Sequence, residues 1–496
     1  MRESGILLPI SSLPSPYGIG CFSKEAYEFV DQLALANQKY WQILPLGPTS
    51  YGDSPYQSFS TYAGNPYFID LNTLIEEGVL TKKECDLADF GSDSRFIDYG
   101  KLYKARYKLL RKAYERSNIS KNPEFQTFQE ENAWWLDDYA LFMAVKGFFQ
   151  DECWDKWPED IKKRYGYALD YYREQLYFEI EFQKYMQFEF SIQWKKLKAY
   201  ANENGIRIIG DIPIYVAYDS ADTWAHPELF QLDEENVPLA VAGCPPDGFA
   251  ADGQLWGNPL YRWDYHRQTG YAWWMQRLSY AFYLYDVVRI DHFRGFDEYF
   301  SIPYGDTTAR NGHWEKGPGI ELFRRMKEVL GERDVIAEDL GYVTDSVRQM
   351  VFESGFPGMK VFEFAFDSRD TGCAGDYLPH NYPVNSVVYT GTHDNATLIG
   401  WYQDIPKEGR EMLRDYIHDY ITSDRSLHWS VICRVMGSPA RICMIPMQDY
   451  LGLDNTCRIN TPSTLGTNWK WRLLDGEFTS DLQNKIKKLV RIYQRN

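Results

Sequence analysis

The sequence predicts an α/β fold built on a parallel sheet, because short apolar strands alternate with helical segments over most of its 496 residues. The first unit shows the pattern. Residues 5–10 and 40–46 are apolar runs typical of strands, and residues 24–37 between them carry apolar side chains at helical spacing. A strand, a helix and a second strand in this order join parallel strands of one sheet, so we expect the remaining strands to be parallel as well.

Six further apolar runs extend this alternation to eight expected strands. They are residues 206–213, 287–290, 334–341, 359–364, 386–395 and 441–447, with helical periodicity between several of them, as at 320–330 and 407–421. Eight parallel strands with helical connections predict a (β/α)8 TIM barrel, which we expect to span residues 1–496 as one catalytic domain. A dinucleotide-binding sheet is disfavoured, because no Gly-x-Gly-x-x-Gly sequence follows a strand.

Two long segments between strands are expected to form subdomains around the carboxyl ends of the barrel strands. Residues 74–198, between strands 2 and 3, are mainly helical, with amphipathic spacing at 99–116, 134–149 and 171–200. Residues 213–270, between strands 3 and 4, are rich in glycine and proline, and a connection of this length usually carries function. We therefore expect residues 213–270 to form a lid over a site.

Composition and charge narrow the classes of partner. The formal net charge of −17 disfavours nucleic acid and anionic membranes and is compatible with a neutral substrate. Some of the 16 Trp and 38 Tyr rings can stack on sugars. The 8 Cys lack the Cys-x-x-Cys spacing of zinc or redox sites. The sequence has no signal peptide and no apolar run of about 18 residues, so we expect a soluble cytoplasmic protein, either a monomer or a homodimer.

Four acidic residues stand at the ends of predicted strands. Asp211, Asp291, Glu338 and Asp394 end strands 3, 4, 5 and 7. A single acid at such a place more often caps the next helix, but a barrel brings the ends of its strands together, so the repetition favours a shared site. Clustered carboxylates either bind a divalent metal or act in pairs on glycosidic bonds. The chain has no His-Glu-x-x-His sequence, so we favour the second use and expect no metal.

Paired action on a glycosidic bond requires acids in different ionisation states. In a retaining mechanism one carboxylate attacks the sugar, and an acid about 5 to 5.5 Å away protonates the leaving oxygen. Arg289, two residues before Asp291, points to the same side of the strand and is expected to hold the pKa of that carboxyl low. Partial burial and neighbouring carboxylates, Asp339 among them, are expected to raise the pKa of Glu338, as a general acid requires.

Three further side chains are expected to bind the sugar itself. Asp394 is expected to hold hydroxyl groups as the ring flattens toward an oxocarbenium ion. His292 and His393 each adjoin a strand-end acid and, while neutral, can hydrogen-bond the same hydroxyls. A histidine alone is as often structural as functional, so their places beside the acids carry this expectation.

An ordered set of motifs extends over nearly the whole chain. The motifs are Tyr17-Gly18-Ile19-Gly20, Leu44-Pro45-Leu46-Gly47-Pro48-Thr49, Gly52-Asp53-Ser54-Pro55-Tyr56-Gln57, Ala63-Gly64-Asn65-Pro66, Gly210-Asp211-Ile212-Pro213, Gly253-Gln254-Leu255-Trp256-Gly257-Asn258-Pro259, Arg289-Ile290-Asp291-His292-Phe293-Arg294-Gly295, Ala337-Glu338-Asp339-Leu340-Gly341, Gly391-Thr392-His393-Asp394-Asn395, Gln448-Asp449 and Asn468-Trp469-Lys470-Trp471-Arg472. This set resembles the 4-α-glucanotransferases called amylomaltase or disproportionating enzyme, within the α-amylase-like group of retaining (β/α)8 enzymes. Each motif alone is a weak signal, whereas the ordered set is highly specific.

The resemblance implies transfer of α-1,4-glucan segments from maltooligosaccharides, starch or glycogen to the 4-OH of an acceptor glucan or glucose, through a covalent glycosyl-enzyme. It implies that Asp291 is the nucleophile, Glu338 the acid/base and Asp394 the stabiliser of the transition state. It also implies a second glucan site, flap loops around 243–259 and 459–468, and no metal or organic cofactor. The implied sugar contacts are Tyr56, Asp211, Asp247, Trp256, Arg289, His292, His393 and Asn460, and Tyr51 matches the second site.

Three positions depart from the family pattern. Pro9-Ile10 stands where His-Pro is expected, Gly248 replaces an aromatic residue, and Ser463 replaces a glycine. The last two fall in the flap loops and therefore bear on acceptor preference and product size. Because water can also release the glycosyl group, an α-glucan hydrolase is the first alternative. An inactive glucan-binding protein is the second, although binding alone does not need all three acids.

Overall fold

The computed structural model describes residues 2–246, 251–341, 343–366 and 374–496. Within these ranges the strands are β1 (Glu3–Leu7), β2 (Tyr40–Gln42), β3 (Arg207–Ile212), β4 (Ala240–Cys244), β5 (Gln254–Pro259), β6 (Val287–Ile290), β7 (Glu298–Pro303), β8 (His313–Lys316), β9 (Val335–Ala337), β10 (Gly358–Val361), β11 (Ser386–Tyr389) and β12 (Ile442–Pro446). Eight of them close a parallel barrel in the order β1-β12-β11-β10-β9-β6-β3-β2. The predicted (β/α)8 barrel is confirmed.

Helices surround the barrel. They are α1 (Lys24–Leu35), α2 (Leu71–Glu76), α3 (Lys82–Asp86), α4 (Tyr99–Ser117), α5 (Pro123–Phe148), α6 (Glu159–Lys162), α7 (Gly166–Gln175), α8 (Tyr177–Glu203), α9 (Ala221–Ala225), α10 (Trp263–Gln268), α11 (Ala272–Leu284), α12 (Ile320–Leu330), α13 (Asp345–Ser354), α14 (Leu398–Asp404), α15 (Lys407–Ile417), α16 (Leu427–Met436), α17 (Met447–Leu451) and α18 (Ser480–Tyr493). Among the described residues, no helix combines the length and apolar character needed to cross a bilayer.

The strand β6 shows why these segments form the barrel wall. All four of its residues are buried, and three are β-branched, which suits a strand covered on both faces. It pairs in parallel with β3 on one side and β9 on the other. The approach of helix α11 to β3 depends on Gly210, because a Cβ there would lie 2.1 Å from the ring of Tyr285.

The predicted helices between β2 and β3 differ from the observed ones at their ends. The segment predicted at 134–149 is the second half of α5, which begins at Pro123 after the side chain of Asn122 accepts the main-chain N–H of Glu124. The segment predicted at 171–200 spans the end of α7 and most of α8, which are separated at Leu176. Aromatic stripes extend across these boundaries, so apolar spacing alone did not locate the ends.

The chain also contains a four-stranded antiparallel sheet that the sequence did not predict. Its order is β5-β4-β7-β8, so the segment 213–270 supplies two strands and the segment after β6 supplies two. Val241, Phe300 and Ile302 form a small core beneath it, with Trp314 packed against them. The glycines, asparagine and proline in β4 and β5 concealed these strands, because such residues are depleted in strands and their partners lie far along the sequence.

A buried glutamate in α8 makes fold stability depend on pH. Glu189 is 6% exposed. Burial, and secondarily Glu77, raise its pKa to about 8, although Lys196 opposes the shift. The fold therefore favours the protonated carboxyl: its contribution to stability is fully present below pH 4.5 and is lost as pH rises through 8.

We expect Glu189→Gln to become more stable relative to wild type between pH 5 and pH 9, by roughly 3 to 5 kcal/mol. Urea unfolding of both proteins at the two pH values measures the change. A stability difference that stays constant with pH would contradict the raised pKa of Glu189.

Candidate active site

The strand-end acids lie together at the carboxyl ends of the barrel strands. Asp211 is in β3, Asp291 directly follows β6, Glu338 directly follows β9, and Asp394 lies a few residues after β11. One nitrogen of Arg289, Nη1, contacts both oxygens of Asp211 at 2.7 and 2.8 Å and Oδ1 of Asp291 at 3.0 Å. Barrel closure thus brings distant sequence segments into one site.

Arg289 and Asp211 form the buried base of this site. Their side chains are 4% and 0% exposed, and the Tyr56 hydroxyl donates to Asp211 at 2.7 Å. Parallel pairing of β3 with β6 sets Asp211 directly opposite Arg289. The register of two strands therefore fixes the ion pair, and Tyr56 reaches it from the loop after β2.

The pKa of Asp291 differs from the sequence expectation. Burial is the largest effect and raises this pKa to about 6. Arg289 lowers it, as expected, but the charges of Asp211 and Asp394 raise it again. The expectation of a low pKa was wrong because burial outweighs the effect of Arg289, whose charge is also shared with Asp211, a residue 78 positions earlier in the chain.

Glu338 is held as an acid beside Asp291. Its carboxyl oxygens accept the main-chain N–H groups of His292 at 2.7 Å and Leu340 at 2.9 Å. Burial, with a smaller effect from Asp291, raises its pKa to about 8, in the expected direction. Asp339 is not among the main causes of this shift, and its own carboxyl accepts the N–H of Met359.

The position of Glu338 depends on an unusual backbone at His292. This residue has φ 50° and ψ 47°, a left-handed conformation that is uncommon outside glycine, although asparagine, aspartate and histidine are enriched in it. It turns the His292 N–H toward Glu338 and begins the short 3-10 helix Phe293–Phe296. Backbone of this kind is often found at functional sites.

The side chain of Asp394 is 44% exposed, which is more open than those of Asp291 (27%) and Asp211 (0%). Asn460 donates its Nδ2 to Asp394 Oδ1 at 2.6 Å, and His393 Nε2 lies 3.4 Å from Oδ2. Burial opposes ionisation of Asp394, but His393, Asn460 and Arg289 outweigh it and hold the pKa below its usual range. Asp394 is therefore ionised at neutral pH.

The pKa values of His292 and His393 shift in opposite directions. Burial lowers the pKa of His292 to about 3, which keeps the ring neutral as expected. Burial also favours neutral His393, but the Asp394 charge outweighs it and raises the pKa of His393. At His393 the pKa therefore shifts toward the charged ring, opposite to the expectation of a neutral one, because a carboxylate adjoins it.

Aromatic rings line the site. Trp256, from β5 of the antiparallel sheet, meets His292 edge to face with ring centroids 4.9 Å apart. Tyr56 stacks on His393 at 5.1 Å, and Trp469 packs against both. The antiparallel sheet therefore places Trp256 beside His292, the residue that follows Asp291.

The remaining expected residues are only partly described. Asp247 and Gly248 lie outside the described residues. Tyr51 begins the 3-10 turn Tyr51–Asp53, and its side chain lies outside the described part of the structure. Ser463 has φ 63°, a left-handed value that explains why glycine was expected there. Sequence reasoning did not single out Arg458, which bonds the Asp394 carbonyl, and no motif position signalled it.

A closed parallel barrel with acids at the ends of its strands places the chain in the class of (β/α)8 carbohydrate-active enzymes. The family profile described as 4-alpha-glucanotransferase matches residues 8–477. The chain belongs to this family, which confirms the resemblance found in the sequence. It is 50% identical over 488 residues to a 4-alpha-glucanotransferase from Clostridium butyricum, covering 98% of this chain and 99% of that protein.

Two further relatives agree with this assignment. A 4-alpha-glucanotransferase from Streptococcus pneumoniae is 48% identical over 498 residues, covering 100% of this chain and 97% of that protein. The solved structure of amylomaltase from Streptococcus agalactiae in complex with acarbose is 41% identical, has a TM-score of 0.96, and covers both chains completely.

The shared cation at the base of the site leads to a stability prediction. Arg289→Met leaves Asp211 and Asp291 without their cation, and removing one partner of a buried pair typically costs about 3 to 5 kcal/mol. Adding Asp211→Asn removes one of the two unpaired charges, so the double variant should recover part of this loss. Chemical unfolding of both variants measures the effect, and a double variant less stable than Arg289→Met would contradict this account.

Proposed function

We propose that this chain is a 4-α-glucanotransferase that uses Asp291 as nucleophile, Glu338 as acid/base and Asp394 as stabiliser of the transition state. One observation carries the proposal: adjacent strands hold Asp291 and Glu338 beside each other, and the main-chain N–H of His292, the residue after Asp291, donates to the Glu338 carboxyl. Burial raises the pKa of Asp291 to about 6 and that of Glu338 to about 8. Near pH 7 the first carboxyl is therefore mostly ionised and the second mostly protonated. A nucleophile and a general acid need these two states.

The first half of the reaction breaks the donor glucan. The ionised Asp291 oxygen attacks the anomeric carbon, and the Glu338 proton passes to the glycosidic oxygen that leaves. The main-chain N–H groups of His292 and Leu340 fix the orientation of Glu338. The product is a glycosyl ester of Asp291 with inverted configuration, and the other part of the donor departs with a free 4-OH.

The second half forms the new bond. Glu338, now ionised, removes the proton from the 4-OH of an acceptor, and that oxygen attacks the anomeric carbon of the ester. Asp291 leaves as a carboxylate and Glu338 is protonated again. Two inversions restore the α configuration, so the product is again an α-1,4-glucan, and the acceptors are glucose or maltooligosaccharides.

Asp394 stabilises positive charge on the flattened sugar ring. It is ionised and its side chain is more exposed than those of Asp211 and Asp291, so its carboxylate is available to sugar hydroxyls. His393 and Asn460 contact this carboxylate and offer further hydrogen-bonding groups, and Tyr56 stacks on His393. Interactions that strengthen as the ring distorts accelerate the reaction, whereas those made equally with the ground state do not.

Incubation with maltotriose tests the proposed function. Transfer produces glucose together with products longer than maltotriose, without a net gain of reducing ends. Hydrolysis would give only shorter sugars with rising reducing ends, and a binding protein would leave maltotriose unchanged. Either of these two results would reject the transferase assignment.

The roles of the two acids predict substitutions with different chemical signatures. Asp291→Ala should abolish turnover while leaving the fold intact, because no other group supplies the ester. Glu338→Gln should lose activity on maltotriose but regain formation of the glycosyl-enzyme with α-maltosyl fluoride, since fluoride leaves without a proton. Mass spectrometry detects the ester. Near-wild-type turnover by Asp291→Ala, or no rescue of Glu338→Gln, would contradict the assigned roles.

The ionisation states predict a bell-shaped dependence of kcat/KM on pH. Activity should fall as pH decreases through about 6, because Asp291 becomes protonated and no longer attacks. It should also fall as pH increases through about 8, because Glu338 loses the proton that it donates. Initial rates on maltotriose between pH 4.5 and 9.5 measure both limbs, and a profile with its maximum outside the interval from 6 to 8 would oppose this scheme.

A further inference from the structure

The loop that carries Asp394 is held firmly at its stem. It connects β11 to α14, and the buried side chain of Asp449 spans its two ends. Asp449 Oδ2 accepts the hydroxyl of Thr390 at 2.5 Å, and Oδ1 accepts the N–H of Leu398 at 2.7 Å. The stem is therefore fixed independently of the contacts made near Asp394 itself.

Near Asp394 the loop is held by Arg458. The guanidinium donates Nη2 to the Asp394 carbonyl at 2.5 Å and Nε to the Asn460 carbonyl at 2.6 Å. Asn460 in turn donates its main-chain N–H to the His393 carbonyl at 3.1 Å. One arginine thus joins the backbone of Asp394 to a segment 64 residues later in the chain.

That later segment is a self-contained loop, which we call the rim loop (residues 460–468). A main-chain bond from Trp469 to Ile459 closes its base, and the Asn468 side chain bonds the main chain of Thr461 and Thr464 inside it. At its tip Leu465 is 85% exposed and reaches the turn at Gly52. Because the loop is braced internally, a displacement at its base moves the whole loop.

We propose that Arg458 is a positioning residue that makes Asp394 and the rim loop move as one unit. Its two donors occupy the main-chain carbonyls of both segments, so neither segment shifts without breaking a charge-assisted hydrogen bond. The consequence for catalysis rests on the proposed function, in which Asp394 stabilises the transition state and an acceptor must displace water. Arg458 then affects both the rate and the choice between transfer and hydrolysis.

The substitutions Arg458→Met and Arg458→Lys distinguish complete loss of the two hydrogen bonds from their weakening. Methionine keeps the apolar stem without donors, whereas lysine retains one charge that reaches one carbonyl at a time. Arg495→Lys is the matched control, because Arg495 also donates to main-chain carbonyls, those of Met436, Ser438 and Ala440, around the amino end of β12. Retention of Asp449 is expected to keep the stem folded in both Arg458 variants.

Hydrogen–deuterium exchange tests the coupling without reference to the reaction. Arg458→Met should accelerate exchange in peptides from both 390–397 and 460–468, Arg458→Lys should do so less, and Arg495→Lys should change neither. Faster exchange in one of the two segments alone would overturn the coupling, whatever the enzyme's activity proves to be.

Kinetics with maltotriose tests the catalytic consequence. Arg458→Met should lower kcat about 10- to 100-fold, as expected for one or two lost charge-assisted hydrogen bonds, with little change in KM. The share of glycosyl groups released to water should also rise. An unchanged kcat in Arg458→Met would overturn the role of Arg458. So would a decrease in kcat that Arg495→Lys also shows, if the ratio of hydrolysis to transfer stays unchanged. If the wild-type enzyme makes no products longer than maltotriose, the proposed function is rejected instead. Hydrogen–deuterium exchange would still decide whether Arg458 couples the two segments.

Discussion

The site depends on one nitrogen atom. Arg289 Nη1 holds both oxygens of Asp211 and one of Asp291, at the buried base of the site. A buried ion pair adds little net stability, because desolvation offsets the attraction between its charges. Its effect is instead on ionisation. Without this cation, several carboxylates at the strand ends could not remain charged so close together in a protein whose formal net charge is −17.

Much of the fold was predictable because the barrel strands carry a local signal. Runs such as Val287–Ile290 are buried on both faces and therefore read as apolar segments of strand length. The predicted strands extended too far at their carboxyl ends, since residues such as Thr390 and Leu340 belong to the loops that follow the strands and carry the site. The antiparallel sheet carries no such signal. Val241 pairs with Ile302, and that pairing depends on tertiary proximity that a sequence window does not contain.

The acids themselves were predictable, whereas their electrostatics were only partly so. A barrel places strand ends together, so Asp211, Asp291 and Glu338 could be grouped from sequence position. The influence of Arg289 on Asp291 was visible because they stand two positions apart in the sequence. Its sharing with Asp211 was not visible, since that depends on the register of β3 against β6. The same limitation concealed Arg458, whose role follows from hydrogen bonds to main-chain carbonyls that any residue could supply.

The site is therefore assembled in two parts with different supports. Asp291 and Glu338 follow adjacent strands, and main-chain N–H groups of His292 and Leu340 fix the second acid, so their geometry belongs to the barrel wall. Asp394 lies on a loop whose contacts come from Asp449, Arg458 and Asn460, all in the C-terminal part of the chain. In the proposed mechanism, attack and proton transfer need the pair on the barrel wall, and release of the glycosyl group to acceptor or water depends on what surrounds the ester. Changes at the C-terminal contacts therefore affect the rate and the selectivity for transfer together, through Asp394 and the loop beside it.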